Sequence, residues 1–590
     1  MNNNADALLF TRKVCVEAPQ TLGSHRRIRL REILLACLRA KRFDMRVKMI
    51  IRIDFEQKTV QKDSDSLQYC FPGREFVLSG EKCHLRCRFG YTYPLPFVTV
   101  LDDKKGTTLI AHDPVFDEIE LLRDDTGIHV LLRYDIPDTR QNREKAEKGI
   151  LRIEHERDFH AGFETYRKWY AEKIDDRKSA MSEKLKNCFY LRRYFFNRDL
   201  CRCHVLDKSG NIRLEKIYND DCLEAGGIDA ALLFDYAYDP VKRTRCGNTD
   251  PLPFGEKALG DLNRQIGQIR EKGCGTVFCY FEPYLIDAGS DWDLSMSEEG
   301  RRPGQITDEY GSPVILWRLD QWAPCLADRK WRRIGADYLR EVTRQFDCDG
   351  IYLDEFGNGT QYVCRAPGHE HGKLSQLQME KQYHEQLRSE VPAQLWMSEY
   401  PVPYTMVSDF DAVLSDTRTV VNAYRFAHPR IRFIRIIGTD RPVGDNLYDV
   451  NKSFFNGEGL WIDNDLHDPV WYSERVKDAI RRQYSVRHRY REFFSSADVI
   501  PLYPIESENI LCNAFICGSV RLLTLINPSE AEEKAVIRIR EDEEIYDVFR
   551  ERKATVKKDG RGKSLVEQTL GPHDVAGLLV SRRREGGRLY

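Results

Sequence analysis

Between residue 188 and about residue 490, short apolar runs alternate with segments of helical periodicity. The run "GTVFCYFEP" (275–283) has the length of a buried strand, whereas Trp331, Tyr338 and Val342 have the spacing of an amphipathic helix. Buried parallel strands read as continuous apolar runs, and helices connect them in sequence. The alternation therefore predicts a parallel sheet with a helix after most strands.

Eight such runs occur in roughly 300 residues, which predicts a closed (β/α)8 TIM barrel over 188–495. Most of the runs end at an acidic residue, and in this fold the active site lies at the carboxyl ends of the strands. The eight runs are 188–196, 229–239, 275–283, 350–359, 394–401, 411–417, 433–440 and 459–465.

The flanking sequence has a different pattern. Residues 46–160 and 496–590 contain short β-branched or aromatic runs between turn residues, which predicts an N-terminal and a C-terminal β-sandwich. Residues 161–187 begin with the helical pattern "AGFETYRKWYAEKI" and are predicted to link sandwich and barrel. Residues 1–45 include a helical run that we assign to no domain. The expected fold class is multidomain, α/β plus all-β.

Charge and apolar runs restrict the partners. The chain of 590 residues has a formal net charge of −2 with interleaved acidic and basic residues, so we expect no nucleic acid partner. No apolar run reaches the 18 to 20 residues of a membrane helix, and we expect no membrane insertion.

The opening residues lack a signal-peptide core, which predicts a cytoplasmic protein, or a secreted one if the gene start is mis-assigned. The 17 cysteines form no CxxC pair, which favours reduced thiols.

Two carboxylates that face one cleft can cleave a glycosidic bond. Asp354 and Glu399 end consecutive predicted strands, so both are expected at one pocket. Asp354 is the predicted nucleophile. Glu399 is the predicted acid, because apolar and aromatic neighbours would raise its pKa. Asp416 is the alternative acid. Glu355 is expected on the opposite face of the strand from Asp354 if the strand continues, where it would brace the barrel. Either carboxylate could instead be structural, pairing with an arginine or capping a helix.

Other polar and aromatic residues near the strand ends are candidates for binding sugar. Rings stack against the C–H faces of sugars, and polar side chains hydrogen-bond the hydroxyl groups. Each aromatic residue taken alone is more often a packing residue. The candidates are Asp235, Glu282, Trp317, Trp322, Asn358, Tyr400, Arg418 and Asp463.

The segment "CRAPGHEHG" (364–372) contains residue types that bind metals. Cys364, His369 and His371 could bind zinc, but their spacing is loose and no second cluster accompanies them. A phosphate-binding loop, a GxSxG nucleophile motif and a GxGxxG dinucleotide motif are missing. We therefore expect no metal and no cofactor.

The segment "WAPCLADRKWRRIGADYLREVTRQFDCDGIYLDEFGNG" (322–359) resembles glycoside-hydrolase-like barrels of the α-galactosidase-like and endo-α-N-acetylgalactosaminidase-like group. Residues 91–114 are similar to the β-sandwich that precedes the barrel in that group, and "DFHAGFETYRKWYAEKI" (158–174) to its linker helix. The resemblance covers about 400 residues at the level of pattern.

The resemblance implies a retaining mechanism with Asp354 as nucleophile. It implies Glu399 as acid/base by likeness to the endo-acting members, and Asp416 by likeness to the α-galactosidases. Members of the group are usually secreted or surface-bound, unlike the location predicted here.

The combined prediction is a glycosidase that cleaves O-glycosidic bonds of a carbohydrate or glycoconjugate, with retention of configuration. Two alternatives remain open: a catalytically inactive carbohydrate-binding protein on the same scaffold, and a metal-dependent hydrolase. The sequence leaves the sugar, the linkage and the oligomeric state undetermined.

Overall fold

The structure is a computed structural model. Its description covers residues 48–56, 67–72, 76–88, 95–174, 181–196, 205–207, 209–239, 241–250, 256–308, 310–314, 320–357, 362–366, 368–369, 371, 374–415, 419–438 and 446–582. The helical run predicted within residues 1–45 lies outside these ranges.

Eight parallel strands close into a barrel at the centre of the chain. Each pairs with its neighbour in sequence, and the first pairs with the eighth. This confirms the predicted (β/α)8 architecture, with one strand for each apolar run. Barrel strands one to eight are Tyr190–Phe195, Ala230–Phe234, Thr276–Phe281, Gly350–Leu353, Leu395–Ser398, Ala412–Ser415, Arg432–Ile437 and Gly459–Ile462.

The register of the third, fourth and fifth strands sets the geometry of the barrel mouth, by which we mean the carboxyl ends of the strands. Phe281 pairs with Leu353, and Leu353 pairs with Ser398, so the three strands end at one level. The next residue of each strand is acidic: Glu282, Asp354 and Glu399. Since neighbouring strands lie about 4.8 Å apart, these three residues stand side by side.

Helices surround the barrel, and several of them begin at a polar residue whose side chain caps the first turn. Ser375 forms a capping box with Gln378, and the Asp328 side chain accepts a hydrogen bond from the Trp331 amide. The second of these helices packs its apolar stripe against the strands, as its spacing predicts. The helices are Leu214–Ala225, Glu256–Glu271, Asp291–Met296, Arg329–Gln345, Gln376–Glu390, Ala423–Ala427, Leu447–Phe455, Glu474–Arg489 and Arg491–Phe494, with a 3-10 turn at Val407–Asp409.

Two antiparallel sheets precede the barrel and enclose an apolar core. One contains Lys48–Glu56, Gly127–Pro137, Glu118–Arg123 and Cys83–Arg88. The other contains Phe76–Ser79, Gln68–Pro72, Phe97–Leu101, Gly106–Ala111 and Ile150–His155. The helices in this part of the chain are Arg140–Lys148, Phe159–Lys173 and Glu183–Lys186.

The helix Phe159–Lys173 joins these sheets to the barrel. It packs on strands Phe97–Leu101 and Gly106–Ala111. On the barrel side, Tyr170 donates a hydrogen bond to the Tyr404 carbonyl at 3.0 Å. The helix predicted as a linker therefore contacts both units, although the boundaries 46–160, 161–187, 188–495 and 496–590 stay predictions.

Two further antiparallel sheets follow the barrel and have their own core. Asn513 and Thr524 attach them to the barrel by donating hydrogen bonds to the Phe455 carbonyl at 3.0 and 2.6 Å. The first sheet contains Val499–Ile500, Leu511–Cys517, Val520–Ile526, Val575–Arg582, Glu543–Asp547 and Arg552–Lys553, and the second Glu533–Arg538, Ser564–Leu570 and Lys557–Lys558. Among the described residues, every helix is too short or too polar to span a bilayer.

A buried ion pair lies between the last two barrel strands. Arg435 Nε is 2.7 Å from Glu458 Oε2, and neither side chain is exposed. Asn422 donates a second hydrogen bond to Glu458 Oε1 at 2.7 Å. A buried charge is tolerated only with such partners, so removing one member leaves the other unpaired in an apolar interior.

We expect Glu458→Ala to destabilise the protein by about 3–5 kcal/mol, because Arg435 would stay buried without its carboxylate. The measurement is the urea midpoint followed by circular dichroism. Glu341→Ala is the matched control, since its partner Arg344 is 71% exposed and such pairs contribute about 1 kcal/mol or less. Equal midpoints for the two variants would contradict the expectation.

Candidate active site

Asp354 occupies the centre of the row of three acids at the mouth. Its backbone N–H donates to the Phe281 carbonyl at 2.9 Å, which continues the strand ladder by one residue. The Tyr352 hydroxyl donates to Asp354 Oδ1 at 2.7 Å. Asp354 is half-buried, so its carboxylate is both oriented and accessible.

Glu399 stands next to it on the fifth strand and has an unusual proton affinity. The Glu355 backbone N–H donates to Glu399 Oε2 at 2.6 Å. Burial, together with the negative charges of Asp354 and Glu355, raises the pKa of Glu399 well above its usual range. The sequence predicted this direction from apolar neighbours, and the nearby carboxylates are an additional cause that it did not include.

Glu282, on the other side of Asp354, has a similar environment. Its carboxylate accepts hydrogen bonds from the Tyr284 amide at 2.9 Å and from the Tyr280 hydroxyl at 3.4 Å. Burial and the charges of Asp354 and Glu355 raise the pKa of Glu282 well above its usual range. The residue predicted to bind sugar is therefore also a candidate proton donor.

The alternation of side-chain direction along the fourth strand does not extend to Glu355. The strand ends at Leu353, and Glu355 adopts a left-handed conformation with φ of 56°. The carboxylate is buried and acts electrostatically on both Glu282 and Glu399. The predicted position on the opposite face required the strand to continue, and this condition is not met, because the strand ends at Leu353.

Two arginines oppose the negative charge of the mouth. Arg193 on the first strand donates to Asp463 Oδ2 at 2.5 Å, and Arg245 Nε lies 3.4 Å from Asp235 Oδ1. Burial raises the pKa of both aspartates, and the arginines counteract it.

Arg193 was not predicted, although the sequence contains a signal for it. Adjacent arginines in a buried strand must face opposite sides. Arg192 faces the outer helix, where its Nε donates to Asp221 at 2.8 Å. Arg193 then faces the other side of the strand, where its guanidinium lies 4.6 Å from the Phe234 ring and 5.6 Å from the Trp461 ring.

Asp235 and Glu282 also line a small cleft between the second and third strands. Arg245, Tyr280, Trp292 and Tyr338 are among the other residues that line it. Asp235 has a left-handed backbone with φ of 54°. Such a conformation costs an aspartate about 1–2 kcal/mol and recurs at functional sites.

The remaining predicted residues divide into three groups. Tyr400 is half-buried just after Glu399. Trp322 is only 1% exposed, and its indole N–H donates to Asp293 at 2.9 Å, so it packs inside the protein and offers no open stacking surface. This corrects its predicted role in sugar binding. Asp416, Trp317, Asn358 and Arg418 lie outside the described residues.

The structure also changes the interpretation of the possible metal ligands. Cys325 joins Cys364, His369 and His371, and one ligand atom of each lies within 4.8 Å of the others. The expectation of no metal rested on the three residues of one loop. Cys325 comes from a separate part of the chain.

Comparisons with known proteins show the fold. No family model matches the chain, and no curated protein matches its sequence. The GH36 α-galactosidase AgaB from Geobacillus stearothermophilus matches with a TM-score of 0.59 and 10% identity, over 90% of this chain and 76% of that chain.

A variant of the GH36 α-galactosidase AgaA from the same organism, in complex with stachyose, matches with a TM-score of 0.58 and 12% identity over the same shares. The galactosidase domain of the α-galactosidase-sucrose kinase AgaSK matches with a TM-score of 0.56 and 13% identity, over 90% of this chain and 75% of that chain. The chain therefore has the TIM-barrel fold with flanking β domains of the α-galactosidase-like glycoside hydrolases.

We expect Glu282→Gln and Glu399→Gln each to stabilise the protein at neutral pH, by about 0.5–2 kcal/mol. The amide keeps a hydrogen-bond acceptor and removes a buried charge. In the wild type, a glutamate whose pKa is raised in the folded state contributes its full stability below the unfolded pKa of about 4.3. This contribution is lost as the pH rises through the folded pKa. The gain should therefore vanish near pH 4, as measured by melting temperature across pH.

Glu341→Gln is the control for this experiment. The side chains of Arg344 and Gln345 lower the pKa of Glu341 to about 2, so the substitution should not stabilise the protein at neutral pH. If Glu282→Gln and Glu399→Gln instead had lower melting temperatures than the wild type at pH 7, these carboxylates would be charged partners in a structural network.

Proposed function

We propose that the chain is a retaining glycoside hydrolase that cleaves O-glycosidic bonds with Asp354 as nucleophile. The observation that supports this most is the row of three in-register acids, in which Glu282 and Glu399 both have a raised pKa beside Asp354. A retaining glycosidase needs this combination, because one carboxylate attacks while another carries a proton.

In the proposed reaction, Asp354 attacks the anomeric carbon while the acid protonates the glycosidic oxygen of the leaving group. The resulting glycosyl ester is hydrolysed by water, and the same acid, now deprotonated, acts as the base. The Tyr352 hydroxyl orients the Asp354 carboxylate for attack. Binding this group in one orientation lowers the entropy cost of the reaction.

Glu399 is the first candidate for the acid/base, since its raised pKa keeps it protonated. Asp416 is the second candidate, because it directly follows the sixth strand. Glu282 is a third candidate, which we infer from its environment in the structure.

The neighbouring charged pairs are suited to hydroxyl groups of a sugar. Asp463 with Arg193 and Asp235 with Arg245 place acceptors and donors at the mouth. Because α-galactosidases of similar fold bind stachyose and raffinose, the first substrates to test are these two sugars and aryl α-galactosides. A panel of aryl α- and β-glycosides and native glycans extends the test to other sugars.

We expect Asp354→Asn to lower kcat by more than about 10⁴-fold, the scale on which removal of a nucleophile acts in other hydrolases. The measurement is release of the aryl group from the best substrate of the panel. Asp308→Asn is the matched control, because Asp308 accepts backbone N–H groups of a surface turn. Full activity of Asp354→Asn would overturn the assignment.

The products separate the remaining mechanisms. Proton NMR of the first-formed sugar should show the anomeric configuration of the substrate, and inversion would exclude an attacking Asp354. A folded protein that binds glycans but hydrolyses none would instead be the inactive carbohydrate-binding protein on this scaffold.

The acid/base can be identified by comparing Glu399→Gln, Asp416→Asn and Glu282→Gln on two aryl glycosides. We expect the variant that lacks the acid to lose about 10²–10⁴-fold on a poor leaving group and much less on a good one, because a good leaving group departs without protonation. A variant that loses equally on both substrates lacks a binding residue. If Glu399→Gln shows equal losses, Glu399 is not the acid.

A further inference from the structure

Four side chains of types that can bind a metal come from two loops and converge near one point. Cys325 lies in the loop after the third strand (282–328), and Cys364, His369 and His371 lie in the loop after the fourth (354–375). Their ligand atoms all lie within 4.8 Å of one another, and Cys364 Sγ is 3.2 Å from His369 Nδ1. Both cysteines are buried and both histidines half-buried.

We propose that these four residues form a structural Zn²⁺ site that fastens the two loops together. Zinc binds sulfur at about 2.3 Å and nitrogen at about 2.0–2.1 Å in a tetrahedron, so its ligand atoms lie about 3.3–3.8 Å apart. The side chains need to move together by about 1 Å or less to reach this geometry. Two thiolates and two imidazoles in a tetrahedron select zinc among the common divalent ions.

The orientation of His369 supports a metal ligand. Its Nε2 lies 2.7 Å from the Pro303 carbonyl oxygen, which can only accept a hydrogen bond. Nε2 therefore carries the hydrogen, and in the neutral ring Nδ1 presents its lone pair towards Cys364. Metal-binding histidines usually donate their second N–H to a carbonyl or carboxylate in this way.

A backbone hydrogen bond joins the two loops close to these side chains: the Arg365 amide donates to the Thr307 carbonyl at 2.7 Å. Within the first loop, the Cys325 amide donates to the Gly304 carbonyl at 2.8 Å, which fixes the backbone at Cys325. The cysteines in the described ranges are free thiols, so both sulfurs can bind a metal. Four protein ligands close the coordination sphere, and a catalytic zinc keeps one position open. The site therefore favours a structural ion over a metal-dependent hydrolase.

The test is the zinc content of the purified full-length chain after desalting into metal-free buffer, measured by plasma mass spectrometry. We expect one zinc per chain in the wild type and a loss of bound zinc in Cys325→Ser and Cys364→Ser. Cys517→Ser is the control, because this half-buried cysteine lies in the C-terminal sheet and should keep the metal. Circular dichroism reports whether each variant folds.

A second measurement does not depend on the variants. Cobalt added to wild-type chain depleted of metal should give the intense visible bands of a tetrahedral site and a thiolate-to-cobalt charge-transfer band. Folded wild-type chain that takes up neither zinc nor cobalt would overturn the proposal. A Cys325–Cys364 disulfide in non-reduced peptide maps would also overturn it. Neither measurement uses glycosidase activity, so a zinc-loaded but inactive chain would contradict only the proposed function.

Discussion

Closure of the parallel barrel is the constraint on which the rest of the structure depends. Parallel strands must all end at the same side, so every residue that directly follows a strand lies at one mouth. The register makes this strict for three strands, where Glu282, Asp354 and Glu399 follow paired residues. The concentration of acid is therefore a consequence of the pairing, and each carboxylate must tolerate its neighbours.

The mouth resolves this repulsion partly by protonation and partly by fixed cations. Burial and the negative charges of Asp354 and Glu355 raise the pKa of Glu282 and of Glu399, so ionisation of these two glutamates is unfavourable. Arg193 is oriented by Asp463. A set of this kind holds a charged and a protonated carboxyl side by side at one pH, which is the requirement of acid-assisted nucleophilic attack.

The sequence predicted the features that depend on local pattern. A strand buried on both faces is largely apolar, so all eight barrel strands and the acids that follow several of them were visible in the sequence. The position of Glu355 was not predictable from alternation, because the strand ends before it and its backbone turns left-handed. Cys325 could not be assigned either, since it approaches Cys364 only when both loops fold.

The two loops that hold the cysteines and histidines also carry Glu282 and Asp354 as their first residues, directly after the third and fourth strands. Loops that carry repelling carboxylates gain little stability from those residues, and their conformation must be fixed by other contacts. The stacked rings of Tyr284 and Tyr362, 4.1 Å apart, provide one such contact between the loops. A metal bound by both loops would provide a stronger one, because coordination bonds to residues of both loops would join them at a point away from the catalytic carboxylates.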